Sequence, residues 1–375
     1  MVQRGEHVIC YNTDPFRAQI EKTSAQFCAY DLPDFSAEAF TLALAGGNLA
    51  KVTALILRKT EELLPCVLKS LRREQPDLVV FDSLALWAKI ASQIMGIKAA
   101  ATISHFILDE NTLSPRDLVP LLWQMLPQLP ENILLRKRLM RLSGKAFPHQ
   151  NPLFPVRDQL NLVFTSRQLQ PDTPLIDSRF HFVGPALNPA LHSETFDFNW
   201  LNADPLVYIS MGTVHPLQRT FFEVCCQIFD GQRAQFVFAL GPYTDLSETG
   251  PIPPNFKLAS AVPQLEILQM ADLFISHGGL NSIHESLYYG VPLLMIPHQF
   301  EQLLNARCVA QKGAGLILPQ YFTHHPITTS DLSTAFQKIF LNPTYRAAAG
   351  HLQADLRATG GPEVAANLLQ AYLQK

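Results

Sequence analysis

The sequence has little charge and lacks the cysteine patterns of metal or disulfide sites. Charged residues make up 16% of its 375 residues, and the formal net charge is -3. This balance gives no electrostatic reason to expect nucleic acid or another polyanion as a partner. The six cysteines form no CxxC pair and no cluster with histidine. That arrangement favours reduced thiols and argues against a zinc site.

Long apolar runs are also missing. Residues 1–7 lack the apolar stretch of a signal peptide, and no window reaches the roughly 18 uninterrupted apolar residues that a spanning helix needs. We therefore expect a cytoplasmic protein. Its length of 375 residues exceeds what one hydrophobic core usually supports, so two domains are expected.

Short apolar runs alternate with helix-period segments along the chain, a pattern typical of α/β proteins with parallel sheets. Strands are predicted in the first half at 7–11, 77–82, 98–103 and 161–165. Strands are predicted in the second half at 206–210, 235–240, 256–259, 273–276, 293–296 and 315–318. Helical periodicity occupies 37–73, 84–95 and, interrupted by prolines, 115–144.

Glycine and proline at 184–189 separate the two halves and predict a linker. We therefore predict two Rossmann-like domains facing each other across a cleft, the first covering residues 1–188 and the second 189–375. The final helix is a candidate to pack back on the first domain. In such sheets, ligands bind outside the carboxyl ends of the strands.

The densest motif lies in the second half, where an apolar strand ends at Ser276. His277, two glycines and a helix-forming segment from about Asn281 follow it. The glycines let the backbone approach a ligand closely, and the free amides of a new helix favour an anion. An isolated motif of this kind is more often an ordinary βα turn capped by Asn281.

This motif is not isolated. The run from Val262 to Asn305 resembles the nucleotide-diphosphate-sugar signature of the UDP-glycosyltransferase superfamily, in particular its bacterial macrolide-glycosyltransferase branch. The matching segments are Val262-Pro263-Gln264, Ile275 to Glu285, Gly290-Val291-Pro292, Pro297 and Glu301-Gln302. A looser resemblance extends over the whole chain. It implies a GT-B fold and transfer of a hexose from a UDP- or TDP-sugar to a hydroxyl of a lipophilic small molecule.

The resemblance assigns the phosphate contacts residue by residue. His277, Asn281 and Ser282 would bind the pyrophosphate, and Gly279 belongs to the same turn. Ser210-Met211-Gly212-Thr213 matches the family's Ser-x-Gly-Thr loop, which would put Thr213 near the phosphates.

The resemblance also assigns the nucleoside and sugar contacts. Glu285 would hold the ribose hydroxyls, and Gln264 would contact the nucleoside. Glu301 and Gln302 would bind hydroxyls of the transferred sugar. One position departs from the family, which usually has an aromatic residue stacked on uracil where this chain has Ala261.

Transfer in the resembled family inverts the anomeric centre by direct attack of the acceptor hydroxyl. This reaction needs a general base and stabilisation of the departing diphosphate. The sequence contains no Asp-x-Asp pair to hold a metal. We therefore expect a metal-independent reaction in which the UDP-sugar is a co-substrate and no cofactor is needed.

The family's general base is a histidine in a Gly-His-x-x-Pro loop after the first strand, oriented by an aspartate that Asp82 matches. This chain lacks the loop, because its start resembles the end of the family's first helix and the second strand. We expect roughly 20 residues to be missing, about one strand and most of one helix.

Three explanations stay open for the absent loop. An internal methionine was taken as the start, or the chain is a degenerate homologue that binds nucleotide sugar with little or no transfer. Alternatively the base is relocated, and His105, which follows the strand at 98–103, is the candidate, although a histidine in this position beside Phe106 is more often simply packed. An epimerase of GT-B shape is a further alternative, and the Glu301-Gln302 pair argues against it.

The first half also carries an apolar region at 113–129 that suits a lipophilic acceptor. The following stretch, 132–145, places five basic residues among leucines. Such a stretch forms either a solvated helix that lines the acceptor cleft or a peripheral contact with an anionic membrane.

Overall fold

A computed structural model describes residues 1–30, 48–109, 119, 123, 125–150, 152–187, 196–212, 219–241, 251–318 and 327–375. The chain divides into two compact units. The N-unit comprises Met1–Phe164, Pro171–Val183 and Pro362–Lys375, and the C-unit comprises Thr165–Gln170 and Gly184–Gly361. The chain first enters the C-unit at Thr165 and returns to it at Gly184, the start of the predicted linker, and its final segment belongs to the N-unit.

The N-unit contains two parallel sheets. Strands β1 (Ile9–Asn12) and β2 (Gln26–Ala29) form one of them. The other has the order β3-β4-β5-β6, with strands at Leu78–Asp82, Lys98–Ile103, Leu160–Val163 and Phe180–Phe182. Among the described residues, no ladder joins β1 to β3.

Helices cover both faces of the larger sheet. Among the described residues before β5, α2 (Leu49–Glu74), α3 (Leu86–Met95) and α4 (Leu129–Ser143) share its core, whereas the short helix α1 (Arg17–Glu21) contacts β2. The apolar faces of α2, α3 and α4 meet in one buried cluster that includes Leu63, Ile90 and Leu139. The last helix, α11 (Gly361–Gln374), buries Ala365 and Leu369 against Leu160 and Leu162 of β5.

Hydrogen bonds tie α11 to the beginning of the chain. Arg4 Nη1 donates to Asn367 Oδ1 at 2.7 Å and to Gln370 Oε1 at 2.8 Å. Gln370 Nε2 in turn donates to Glu6 Oε1 at 2.8 Å. The first residues of the chain and its last helix are therefore parts of one folded body.

The C-unit contains one six-stranded parallel sheet in the order β12-β11-β10-β7-β8-β9. Its strands β7 to β12 are Leu206–Ser210, Gln235–Ala239, Phe256–Ala259, Leu273–Ser276, Leu293–Met295 and Gly315–Ile317. Its helices α5 to α10 are Arg219–Phe229, Gln264–Met270, Leu280–Tyr288, Phe300–Gln311, Thr329–Phe340 and Pro343–Ala358.

The order of these strands positions the candidate site. β7 and β10 are neighbours in the middle of the sheet, and their last residues, Ser210 and Ser276, are register partners. The loops that follow them must therefore meet at the same edge. A phenylalanine-rich core packs beneath this edge, with Phe229 stacked on Phe236 at a centroid separation of 4.5 Å.

The predicted C-unit strands agree with the structure to within one residue at each end. In the N-unit, β2 and β6 were missed. They are four and three residues long. The predicted helix at 37–73 is observed as Leu49–Glu74, and residues 37–47 lie outside the described part. Within the described ranges, no helix has the length and apolarity to cross a membrane.

Candidate nucleotide-sugar site

Two matching turns meet at the ends of β7 and β10. Each is a Ser-x-Gly turn, in which the Ser210 and Ser276 hydroxyls accept the amide hydrogens of Gly212 and Gly278 at 3.5 and 3.4 Å. Both glycines have positive φ angles, +84° and +83°, which residues with a Cβ rarely adopt. These turns start the two loops that the sequence linked to phosphate binding.

The His277 ring lies between glycines of the two loops. A Cβ on Gly212 would be 2.8 Å from His277 Cε1, and one on Gly279 would be 2.5 Å from His277 Nε2. Both distances are shorter than real Cβ contacts, so a side chain at either glycine would force the His277 ring to move. The structure thereby brings the two predicted phosphate loops together around this ring.

Helix α7 begins beside this ring. Its N-cap is Gly279, which supplies no capping side chain, so the amides of its first turn are suited to an anion. Asn281 is exposed and Ser282 half-buried in that turn. Glu285 lies four residues after Asn281, on the same face of the helix. Thr213, the remaining predicted phosphate ligand, lies outside the described residues.

Glu285 belongs to a chain of three polar side chains. Tyr208 Oη donates to Gln264 Oε1 at 2.8 Å, and Gln264 Nε2 donates to Glu285 Oε2. The two side chains that the sequence linked to the nucleoside and the ribose are therefore in contact. Tyr208 carried no predicted role, because a tyrosine in an apolar strand looks like an ordinary core residue.

Glu301 and Gln302 occupy the first turn of α8. Glu301 is exposed, and its Oε1 accepts from Asn305 Nδ2 at 3.0 Å. Gln302 is 7% exposed and acts in a capping box, where its Oε1 accepts from the backbone of His298 and Gln299 at 2.9 and 3.2 Å. The side-chain oxygen of Gln302, Oε1, thus already accepts two hydrogen bonds within the protein.

The residue before Glu285 is a buried histidine that sequence reasoning left without a role. His284 is 4% exposed and bonds through Nε2 to Thr165 Oγ1 at 2.8 Å. Burial lowers its pKa from 6.5 to about 4. The only hint in the sequence is its position on the apolar side of α7, between Leu280 and Leu287.

Comparison with known proteins identifies the family. Residues 234–371 match the family described as Erythromycin biosynthesis protein CIII-like, C-terminal domain. The NDP-glycosyltransferase YjiC of Bacillus subtilis (strain 168) is 30% identical over 328 residues, which cover 85% of this chain and 79% of the relative. The chain belongs to the UDP-glycosyltransferase family.

More distant relatives agree with this assignment. The oleandomycin glycosyltransferase of Streptomyces antibioticus is 23% identical over 388 residues, which cover 100% of this chain and 86% of the relative. The solved structure of the glycotransferase of kitacinnamycin has a TM-score of 0.80 and 26% identity, covering 99% of this chain and 92% of that one. The predicted GT-B fold class and the assignment as a glycosyltransferase are thereby confirmed.

The N-unit of this glycosyltransferase places Asp82 at the end of β3. Asp82 is exposed as a residue, but protein atoms crowd its carboxyl. This desolvation raises the pKa of Asp82, while the hydrogen bond from Leu84 N at 2.8 Å and the charge of His105 oppose the shift. The structure thus brings together the two N-unit residues that were predicted as catalytic.

Both ring nitrogens of His105 have protein partners. Nδ1 lies 3.1 Å from the Phe106 carbonyl oxygen, and Nε2 lies 3.1 Å from Ser83 Oγ. Because a carbonyl only accepts, Nδ1 carries the hydrogen, and in the neutral ring Nε2 accepts from the Ser83 hydroxyl. A base at this position would have to exchange Ser83 for the acceptor hydroxyl.

The basic stretch at 132–145 is largely helix α4. Its Leu135, Leu139 and Ser143 are buried, and the side next to them exposes Leu129, Ile133 and Met140 at 39%, 51% and 39%. Four basic residues of the helix are also exposed, Arg136, Lys137, Arg138 and Arg141, and Arg138 pairs with Glu61 at 2.8 Å. Most of the apolar region predicted at 113–129 lies outside the described residues.

No group of three or more histidine, cysteine, aspartate or glutamate side chains among the described residues could hold a metal ion.

Proposed function

We propose that this glycosyltransferase moves a hexose from a UDP- or TDP-sugar to a hydroxyl of a lipophilic small molecule, with inversion and without a metal ion. Relatives named as an NDP-glycosyltransferase and an oleandomycin glycosyltransferase support this donor and acceptor class. The observation that carries the proposal is the meeting of His277, the first turn of α7 and Glu285 at the ends of β7 and β10.

The diphosphate would lie against the first turn of α7. The amides of residues 280–282 and the side chains of Asn281 and Ser282 offer donors there, and the helix dipole favours negative charge. The same groups would stabilise the charge that develops on the departing diphosphate. We assign no metal ion, because this helix end and His277 supply the stabilisation.

The sugar would contact the start of α8. The exposed Glu301 carboxylate can accept from two hydroxyls of a hexose. Since Gln302 Oε1 already accepts hydrogen bonds from two backbone amides, a sugar contact from the Gln302 side chain would come from Nε2. Ala261 is exposed and offers no aromatic surface on which the base could stack.

In the N-unit, His105 is the proposed general base, and Asp82 is the carboxylate that supports it. In this scheme, the acceptor hydroxyl displaces the Ser83 hydroxyl from His105 Nε2 and transfers its proton there as it attacks the anomeric carbon. The carboxylate of Asp82 stabilises the imidazolium that results.

One observation favours the alternative of a nucleotide-sugar-binding protein with little transfer. His105 Nε2, the nitrogen that would take the proton, is held by Ser83. If this contact persists with an acceptor bound, the site binds donor without catalysing transfer.

Two measurements on the purified chain separate these functions. Calorimetry with UDP and with TDP tests the donor site, and mass spectrometry of a panel of flavonoid and macrolide acceptors incubated with UDP-glucose or a TDP-hexose tests transfer. Binding with transfer supports the enzyme, and binding without transfer supports the alternative. Failure to bind either nucleotide overturns both.

Helix α4 is proposed to contact an apolar partner through Leu129, Ile133 and Met140. An acceptor molecule and an anionic membrane are the two partners predicted from the sequence. Sedimentation with phosphatidylglycerol vesicles, with phosphatidylcholine vesicles as the control, decides between them. Sedimentation with the anionic vesicles that is lost in Ile133→Asp supports a membrane contact. If the protein does not sediment with these vesicles, a membrane contact is excluded.

A further inference from the structure

We propose that Tyr208 is a positioning residue of the nucleotide site, because its buried hydroxyl fixes the Gln264 amide and thereby orients Glu285 toward the ribose. The inference rests on the proposed function, in which Glu285 binds the ribose hydroxyls. It adds a residue from the middle of the sheet to a site otherwise built from loops and helix ends.

Tyr208 is held rigidly. It lies in β7, paired on both sides by β10 and β8, and is 1% exposed. Its ring stacks on Phe274 of β10, with centroids 4.7 Å apart and planes 19° from parallel. The hydroxyl therefore has one position, 2.8 Å from Gln264 Oε1.

The chemistry of the three groups fixes the direction of both hydrogen bonds. A carboxylate oxygen only accepts, so the Gln264 atom facing Glu285 is the NH₂ group. The amide oxygen then faces Tyr208, whose hydroxyl donates to it. The Gln264 side chain is thus held at both ends in one of its two orientations.

Removal of the Tyr208 hydroxyl would release one end of this amide. A rotated amide would turn Oε1 toward Glu285 and set two acceptors against each other. Glu285 would then move from its position for the ribose, although neither Glu285 nor Gln264 had been changed. Tyr208→Phe removes a single oxygen and keeps the ring that stacks on Phe274, so it tests this step with little change in packing.

The experiment compares UDP with 2′,3′-dideoxy-UDP, which lacks the hydroxyls that Glu285 would bind. Calorimetry on the full chain gives the ratio of the two dissociation constants. Wild type is expected to prefer UDP. Tyr208→Phe is expected to weaken UDP binding about threefold to tenfold, the range of one neutral hydrogen bond, and to leave dideoxy-UDP binding unchanged. Glu285→Ala is the reference variant, which is expected to lose the preference for UDP over dideoxy-UDP completely.

A matched control is available in the same unit. Tyr289 Oη accepts from another glutamine, Gln269 Nε2, at 3.4 Å, away from Gln264. Tyr289→Phe is expected to keep both the UDP affinity and the ratio. Gln264→Met removes the amide itself and should reproduce the ratio of Tyr208→Phe, which provides a second test if that variant fails to fold.

The outcomes separate the inference from the proposed function. If wild type binds UDP with a ribose preference and both Tyr208→Phe and Gln264→Met retain it, the inference is wrong while the function stands. Equal weakening of both nucleotides in Tyr208→Phe means a merely structural role and also overturns the inference. If wild type binds no nucleotide, the proposed function fails and the inference fails with it.

Discussion

The two units differ in how completely their predicted site residues fit together. In the C-unit, the His277 ring lies beside Gly279, and Glu285 accepts a hydrogen bond from Gln264. In the N-unit, Asp82 and His105 are close, but His105 bonds to Ser83, and β1 and β3 share no ladder among the described residues. The proposed donor site is therefore assembled in the structure, whereas the proposed base requires His105 to exchange Ser83 for the acceptor hydroxyl.

Substitution of His105 should separate the two units most sharply. We expect His105→Ala to lower kcat for sugar transfer by about 10²–10⁴-fold, the usual contribution of a general base, with an unchanged Kd for UDP. Asp82→Asn should lower kcat in the same direction, because it removes the charge that stabilises the imidazolium. Transfer assays and calorimetry on the same preparations provide the test. Normal kcat in His105→Ala would exclude His105 as the base.

Acid should destabilise the C-unit through His284. Its folded pKa of about 4 lies below the ordinary 6.5, so below pH 6.5 the unfolded chain binds the proton more readily than the folded chain. The contribution to stability is therefore complete above pH 6.5 and lost as the pH falls toward 4, by about 2–3 kcal/mol.

Urea unfolding at pH 7 and pH 4.5, followed by circular dichroism, measures this loss. His284→Gln should show a smaller difference between the two pH values, and the exposed His351→Gln should behave as wild type. An equal pH dependence in wild type and His284→Gln would contradict the assignment.

Phosphate contacts in the C-unit come next in size. We expect His277→Ala and Asn281→Ala each to weaken UDP binding about tenfold or more, because a hydrogen bond to a charged group contributes about 1.5–3 kcal/mol. His351→Ala is the control, a histidine of the same unit far along the chain from the two loops. Calorimetric affinities equal to wild type in both variants would remove the basis of the donor site.

The smallest effect is expected at Ala261. Stacking of a base on an aromatic ring contributes about 1–3 kcal/mol, and the exposed Ala261 leaves the position open to a larger side chain. Ala261→Trp should therefore tighten UDP binding, with a gain of about fivefold or more in a titration. Weaker binding would mean that another side chain already occupies that face of the base.

Much of the C-unit could be predicted from the sequence because the residues that form its candidate site are close together in the sequence. The strand ending at Ser276, the glycine turn and the start of α7 are consecutive, so one segment specifies both the fold and the phosphate site. The family resemblance added Gln264 and Glu285, which the structure shows in contact.

The parts that escaped prediction depend on tertiary contacts. Tyr208 and His284 are apolar-face residues by pattern, and only the packed structure shows that their polar atoms reach Gln264 and Thr165. In the same way, Ser83 follows β3 and His105 follows β4, and no pattern in the sequence shows that these two side chains are in contact.

The return of α11 to the N-unit has a consequence for synthesis on the ribosome. The C-unit ends at Gly361, so it can fold as soon as that residue has left the exit tunnel. The N-unit is translated first but completed later, since Ala365 and Leu369 cover the β5 face only after residues 361–374 have been made. Until then the apolar face of β5 that carries Leu160 and Leu162 lacks its cover, so the C-unit, although translated later, can complete its core first.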